Sequence, residues 1–169
     1  PGEFKMYPLE TPEVINYPFP NIGEGYGICV SPYTHTSQGY DTTSVEGQGK
    51  MVRRLVAKVR AHRDLVTRVE KVSLEDAEIA VLCYGGEARP ALAAVQQARR
   101  EGIRAGLLRP IIVWPFPDEE VLRVAERVQT IIVPEINVDG QMVREVERAA
   151  HGKAEVVALG HGGVEPHRP

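Results

Sequence analysis

The sequence predicts a three-layer α/β/α sandwich around a mostly parallel sheet. Three observations carry that prediction. Apolar runs rich in β-branched residues recur at Glu78–Tyr84, Ile103–Trp114, Thr130–Val133 and Glu155–Leu159. Amphipathic stretches separate them. The runs are continuously apolar rather than alternating, which is how strands read when helices cover both faces of a sheet. Strict alternation of strand and helix from Glu78 onward then implies parallel crossovers.

The centre of the pattern is Leu107–Gln141. Pro115 and Pro117 close its first apolar run, because proline cannot donate to a strand ladder. Asp118, with Glu119 and Glu120 behind it, opens a helix over Asp118–Val128 through an N-cap and a favourable first-turn charge. The next strand ends at Pro134-Glu135-Ile136-Asn137, and Asp139-Gly140 turns into a further helix. Open α/β sheets carry their functional loops at such carboxyl ends.

Upstream of this centre, Glu78–Tyr84 is followed by Gly85-Gly86 and by a helix over Glu87–Glu101, with Pro90 in its first turn. Its inward stripe is Ala91, Leu92, Ala94, Val95 and Ala98, and Gly102 stops it. A strand, two glycines and a helix start make a candidate anion site at Gly85, Gly86 and Arg89, since free backbone N–H groups point outward there. A tight turn without a ligand is the competing reading, because no P-loop lysine or serine follows. Downstream, Gly140–Ala150 is a helix with Met142, Val143, Val146, Ala149 and Ala150 inward, and the residues from Gly160 to Pro169 read as a frayed tail. Near the start of this region, Lys50–Arg63 is a helix with Met51, Val52, Leu55, Val56 and Val59 on one face and a basic opposite face. Leu65–Val72 alternates weakly and reads as a short edge strand.

Residues 1–48 differ. They hold six of the thirteen prolines and no sustained period, and they read as an extended arm or linker. Gly23-Glu24-Gly25-Tyr26-Gly27 is turn chemistry, since no strand precedes it and no helix follows. Thr34–Asp41 collects hydroxyls around His35 and reads as an exposed turn or as a loop docking on a neighbour.

Several function classes drop out. A net charge of −3 argues against a general nucleic-acid binder. No apolar run approaches the ~20 residues of a membrane span, and no signal peptide is visible. Cys29 and Cys83 are too far apart for a CxxC motif, which fits a reduced, cytoplasmic chain. The five histidines show no metal spacing, and there is no GxSxG elbow and no cysteine cluster. The first residue is Pro1, which suggests a fragment or a processed subunit. Glu135 and Asn137 stand out because they leave a buried strand directly. Glu135 is a candidate base or ligand contact, or else a hydrogen-bond partner for helix N-termini or for another chain.

Ordered motifs carry a resemblance. Tyr84-Gly85-Gly86-x-x-Arg89, Glu101-Gly102-Ile103-Arg104, Leu108-Arg109-Pro110, Trp114-Pro115-Phe116-Pro117 and Val133-Pro134-Glu135-x-Asn137-x-x-Gly140-Gln141 occur in this order. Together they resemble the C-terminal part of the alpha subunit of 2-oxoacid:ferredoxin oxidoreductases. Thr34-His35-x-x-x-Gly39-Tyr40 and Lys50-Met51-Val52 resemble the stretch that joins this part to the thiamine domain, with Thr36 and Ser37 where acidic residues are usual. The resemblance covers about residues 17–160. It implies a transketolase C-terminal-like domain over 49–160, with a five-stranded sheet that has one antiparallel strand, for which Leu65–Val72 is the natural candidate. It implies that 1–48 is an arm from a missing thiamine-binding domain and 161–169 a flexible tail.

The intact enzyme of this family oxidatively decarboxylates a 2-oxoacid, here expected to be 2-oxoglutarate, to an acyl-CoA. It uses thiamine diphosphate, Mg2+ and an iron–sulfur cluster, takes CoA as substrate and reduces ferredoxin. The implied partners are a thiamine-binding beta subunit, the other oxidoreductase subunits and ferredoxin. No catalytic, cofactor or metal residue transfers to this chain, which is expected to be inactive alone. Gly85, Gly86, Arg89, Glu135, Asn137, Gly140, Gln141 and His35 remain as candidate interdomain or anion contacts. The competing expectations are a stand-alone ligand-binding α/β module using the Gly85–Gly86 and Glu135–Gly140 loops, or the C-terminal domain of another thiamine-dependent dehydrogenase or transketolase.

Overall fold

The structure, a computed structural model, describes residues 5–7, 9, 19–27, 29–163 and 167. Parts of the arm and of the tail therefore lie outside the described residues. The chain divides into two units, residues 1–66 and 67–169.

In the second unit five strands form one sheet in the order β1-β3-β2-β4-β5: β1 Val69–Val72, β2 Ile79–Leu82, β3 Ala105–Pro110, β4 Thr130–Glu135 and β5 Glu155–Gly160. The register pairs Ile79 with both Ala105 and Thr130, and Thr130 with Glu155, all parallel. Edge strand β1 runs antiparallel to β3, Val69 opposite Pro110, as expected of the one odd strand.

Alternation along the strands splits the core between the two faces. On one face Ala80, Leu82, Leu108, Ile131 and Val133 meet α4 (Asp118–Ala125) and α5 (Met142–Ala150) through Val121, Val124, Ala125, Met142, Val143 and Val146. On the other face Cys83, Ala105 and Leu107 meet α3 (Ala88–Arg100) through Ala88, Ala91 and Val95. The layers are therefore α/β/α. Gly106 is required where β3 passes the chain entering β2, because a Cβ there would lie 2.6 Å from the Ser73 carbonyl oxygen.

Two expectations need correction. The apolar run Ile103–Trp114 is not one strand. β3 begins at Ala105 and ends at Pro110, where its antiparallel partner β1 runs out. Beyond it Ile111, Ile112, Val113 and Trp114 are 43%, 37%, 40% and 53% exposed, while Pro115, Phe116 and Pro117 turn back into the core and the Trp114–Pro115 bond is cis.

The second correction lies in the first unit. Helix α1 runs Val45–Ala61, not from Lys50, because the Ser44 hydroxyl caps it by accepting the Gly47 N–H at 3.1 Å. Its apolar face is only partly covered, with Met51, Val56 and Val59 half-buried. Val45, Val52 and Leu55 are exposed, whereas Arg54 is buried. A short helix α2, Arg63–Val66, follows. No described helix is long and apolar enough to cross a membrane.

Candidate functional site

Strands β2 and β4 are parallel neighbours, so the Gly85-Gly86 turn and the Pro134–Gln141 loop leave the same edge of the sheet side by side. Each loop turns out to be organised by a buried carboxylate.

Glu135, the last residue of β4, is 3% exposed. Its carboxylate accepts the Gln141 N–H at 3.0 and 2.9 Å, the Met142 N–H at 3.0 Å, the Val143 N–H at 2.9 Å and the Asn137 side-chain amide at 3.0 Å. A helix start leaves its first N–H groups without intrahelical partners and carries partial positive charge. Glu135 satisfies both needs of α5 at once, from seven residues upstream of its first residue.

Burial on its own raises this carboxyl's pKa. The Met142, Val143 and Gln141 N–H groups and the Asn137 amide outweigh it and hold the value below the usual carboxylate range. Gly140 completes the arrangement at φ +68°, where an added Cβ would stand 2.6 Å from the Val143 side chain and 3.3 Å from Glu135 Oε1. The Glu-x-Asn-x-x-Gly-Gln spacing is thus a capping device. Gly140→Ala is expected to destabilise the second unit by about 1–3 kcal/mol through left-handed strain, read as a lower urea midpoint.

Alternation along this loop also decides what faces outward. Glu135 and Asn137 turn in, while Ile136 and Val138 turn out, at 44% and 80% exposure. The polar residues that the sequence singled out are engaged within the loop, and the exposed surface beside them is apolar. Gln141 is exposed but gives its backbone N–H to Glu135.

At the neighbouring loop Gly85 takes φ +58° and opens a turn of 3₁₀ helix through Glu87 into α3. Gly85, Gly86 and Arg89 are exposed. Glu87, which sequence reasoning passed over, is 5% exposed and sits at the start of α3. Its carboxylate accepts the His167 N–H at 3.2 Å and pairs with His167 Nδ1 at 2.8 Å. An acidic side chain at this helix start, already holding His167, works against the anion-binding reading of Gly85-Gly86. Burial, reinforced by Glu87, pushes the Cys83 thiol up to about 12, so it is not a nucleophile.

His167 also packs edge-on against His161 at 4.3 Å, and the His161 N–H reaches the Glu135 carbonyl at 3.2 Å. These two tail residues, expected to fray, are tied to both loops. No sequence signal links His167 to Glu87, 80 positions away.

His35 belongs to the first unit. It pairs with Asp41 across a hairpin, is 8% exposed, and its ring stacks on Tyr7 at 3.9 Å. Its N–H meets the Met51 sulfur at 3.3 Å, so the Thr34–Asp41 loop docks on α1 and His35 is not part of an exposed turn.

Residues 77–167 match the family model described as pyruvate:ferredoxin oxidoreductase core domain II. The chain belongs to this family. The 2-oxoglutarate synthase subunit KorA of Methanothermobacter marburgensis is 41% identical over all of this chain. That alignment takes in 44% of KorA, so the chain spans less than half the length of this relative. Among solved structures, a 2-oxoglutarate:ferredoxin oxidoreductase from Magnetococcus marinus, with 2-oxoglutarate, coenzyme A and succinyl-CoA bound, superposes with a TM-score of 0.72. It is 20% identical and covers 99% of this chain and 29% of its own. A split-gene transketolase superposes with a TM-score of 0.50 at 22% identity, over 57% of this chain and 33% of its own. Both likenesses concern the fold, and they agree with a transketolase C-terminal-like core domain II.

The donor set of the chain falls short of a cysteine-ligated iron–sulfur cluster. A cysteine-ligated iron–sulfur cluster takes about four thiolates, and the sequence has two cysteines. Among the described residues no group of three His, Cys, Asp or Glu is placed to hold a metal ion.

Proposed function

We propose that this core domain II chain is a non-catalytic assembly domain of the alpha subunit of a 2-oxoacid:ferredoxin oxidoreductase. The enzyme to which it contributes oxidatively decarboxylates 2-oxoglutarate to an acyl-CoA and reduces ferredoxin in the cytoplasm. Thiamine diphosphate, Mg2+ and the iron–sulfur cluster are held by other polypeptide, including a thiamine-binding beta subunit. The observation that carries this reading is 41% identity along the whole chain to a 2-oxoglutarate synthase subunit. The site geometry supports the non-catalytic role. The one carboxylate placed like a general base at the carboxyl end of β4 is surrounded by donors from its own loop and helix, which lower its basicity. Exposed Gly85, Gly86, Arg89 and Gln141 lie at this edge for contact with the rest of the enzyme.

The test is reconstitution. The chain is mixed with the thiamine-binding subunit and the remaining subunits, and CoA-dependent reduction of a viologen dye is followed with 2-oxoglutarate, pyruvate or 2-oxoisovalerate. Turnover is expected only in the assembled mixture and fastest with 2-oxoglutarate. Dye reduction by the chain alone would overturn the non-catalytic role, and preference for another oxoacid would overturn the substrate.

A further inference from the structure

The two buried carboxylates of the second unit serve different ends. Glu135 gives its oxygens to the start of its own helix, α5. Glu87 stands at the start of α3 and makes no side-chain capping bond to it. Both Glu87 oxygens instead face His167. The backbone N–H reaches them at 3.3 and 3.2 Å, and the ring Nδ1 stands 2.8 Å from Oε2. A carboxylate only 5% exposed is costly unless it is hydrogen-bonded and paired. The partners it has here lie on the C-terminal tail, 80 positions away.

On the tail side, His161 sets its ring edge-on against that of His167 at 4.3 Å. Just after β2, the Cys83 thiol feels Glu87 but stays protonated, since burial raises it first and Glu87 second. Arg109, which also acts on Cys83, is paired with Glu70 at 3.0 Å. With a neutral imidazole the contact therefore carries the charge of Glu87 uncompensated. With an imidazolium it becomes a charge-assisted pair of zero net charge.

We propose that Glu87 and His167 form a proton-operated clasp for the C-terminal tail, which tightens when the imidazole takes up its second proton. Histidine is the side chain that changes charge between pH 5 and pH 8. Closing takes up a proton, so by linkage the clasp is tighter at pH 6 than at pH 8. His161 limits it on the acid side. Once His161 is charged as well, two imidazolium rings stand in contact and repel. The root of the tail is held differently, by the His161 N–H on the Glu135 carbonyl at 3.2 Å, a backbone bond with no titratable group. An open clasp therefore uncovers Glu87 and the start of α3 while the tail stays anchored beside β4.

The clasp belongs to this chain, so the full chain is tested without partner subunits. Exchange protection of the residue-167 backbone N–H, which reads local opening, is measured by NMR at pH 5, 6, 7 and 8 and corrected for intrinsic exchange. The variants are Glu87→Gln, His167→Gln and His161→Phe. The Val81 N–H, in the central strand, reports whether each keeps the fold. Wild-type protection is expected to fall about 3–10-fold from pH 6 to pH 8, the difference between a charge-assisted and a neutral hydrogen bond. Glu87→Gln and His167→Gln are expected to show the lower protection throughout, with no such fall. His161→Phe keeps an edge-on ring without a charge. It is expected to hold its pH 6 protection down to pH 5, where wild type loses part of it.

A flat wild-type profile from pH 6 to pH 8, or one that rises, would overturn the clasp. So would an equal fall in His167→Gln, because the titrating group would then lie elsewhere. If Glu87→Gln loses the fold, His167→Gln, on the tail, still decides between these outcomes.

Discussion

Glu135→Ala is expected to cost the second unit roughly 3–5 kcal/mol and to lower its melting temperature by about 10 °C or more. The carboxylate is 3% exposed and accepts three backbone N–H groups from the start of α5. Two of these, on Met142 and Val143, belong to buried residues and cannot turn to water when the acceptor is removed. A buried donor left without a partner costs about 1–3 kcal/mol, and hydrogen bonds to a charged group are the stronger class. Glu135→Gln tests the charge separately, because it keeps the volume and one carbonyl oxygen but points an N–H₂ at the helix donors.

The pH dependence follows from the lowered pKa. The folded value lies below the unfolded one, so the stabilisation is fully present above the unfolded carboxyl pKa of about 4.3 and is lost as pH falls through the folded value. The acid unfolding limb of wild type should therefore be steeper than that of Glu135→Gln, and the two should differ most near neutral pH. Urea titrations between pH 3 and pH 7 read this directly. A Glu135→Ala chain that melts with wild type would show that α5 does not depend on this cap, and the loop would need another account.

Where the sequence was legible, one periodicity dominated. The inward set of α5, Met142, Val143, Val146, Ala149 and Ala150, is the set the structure buries, because the helix has one clear apolar stripe and one sheet face to cover. The mostly parallel sheet was legible from the alternation of strand and helix, while the antiparallel place of β1 was implied by the family resemblance. The Ile103–Trp114 run misled because an apolar side chain fixes neither burial nor a place in a strand ladder, and Ile111–Trp114 are apolar yet exposed beyond β3. A strand ends where its neighbours end, and only the register of β1 reveals that Pro110 is that point.

On α1 the pattern identified the helix and its apolar face, but not that Val52 and Leu55 on that face are exposed while Arg54 is buried. Glu135, Asn137, Gly140 and Gln141 drew notice in the sequence because a polar cluster launched from a buried strand is conspicuous, and the structure gathers them in one loop. Helix N-termini were among the partners the sequence offered for Glu135, and α5 supplies them, but which N–H groups it takes is set by approach in three dimensions. Glu87 and His167 were invisible for the same reason, since their pairing joins two segments 80 positions apart.

Ile131→Asp is expected to abolish folding of the second unit outright. Ile131 is 0% exposed, sits in the middle of β4 and pairs with Ala80 on one side and Val156 on the other. Its side chain belongs to the cluster built with α4 and α5. Losing its burial removes about 1.5–3 kcal/mol. The incoming carboxylate has no cation beside it in a cluster made of Leu, Val, Ala, Ile, Met and Phe, so it must be desolvated unpaired or protonated, at several kcal/mol more. Cavity and strain terms add to this. Against a typical domain stability of about 5–15 kcal/mol, the total consumes most or all of what holds the unit together.

Two controls locate the effect. Ile131→Val removes one methylene and should cost about 0.5–1.5 kcal/mol with the fold retained. Ile132→Asp places the same charge one residue along, on the opposite sheet face at a half-buried position, and should be clearly milder. Circular dichroism melts and limited proteolysis of the three variants make the comparison. If Ile131→Asp melts within a few degrees of wild type while Ile132→Asp unfolds, the register of β4 is off by one residue and the two faces of the sandwich are exchanged.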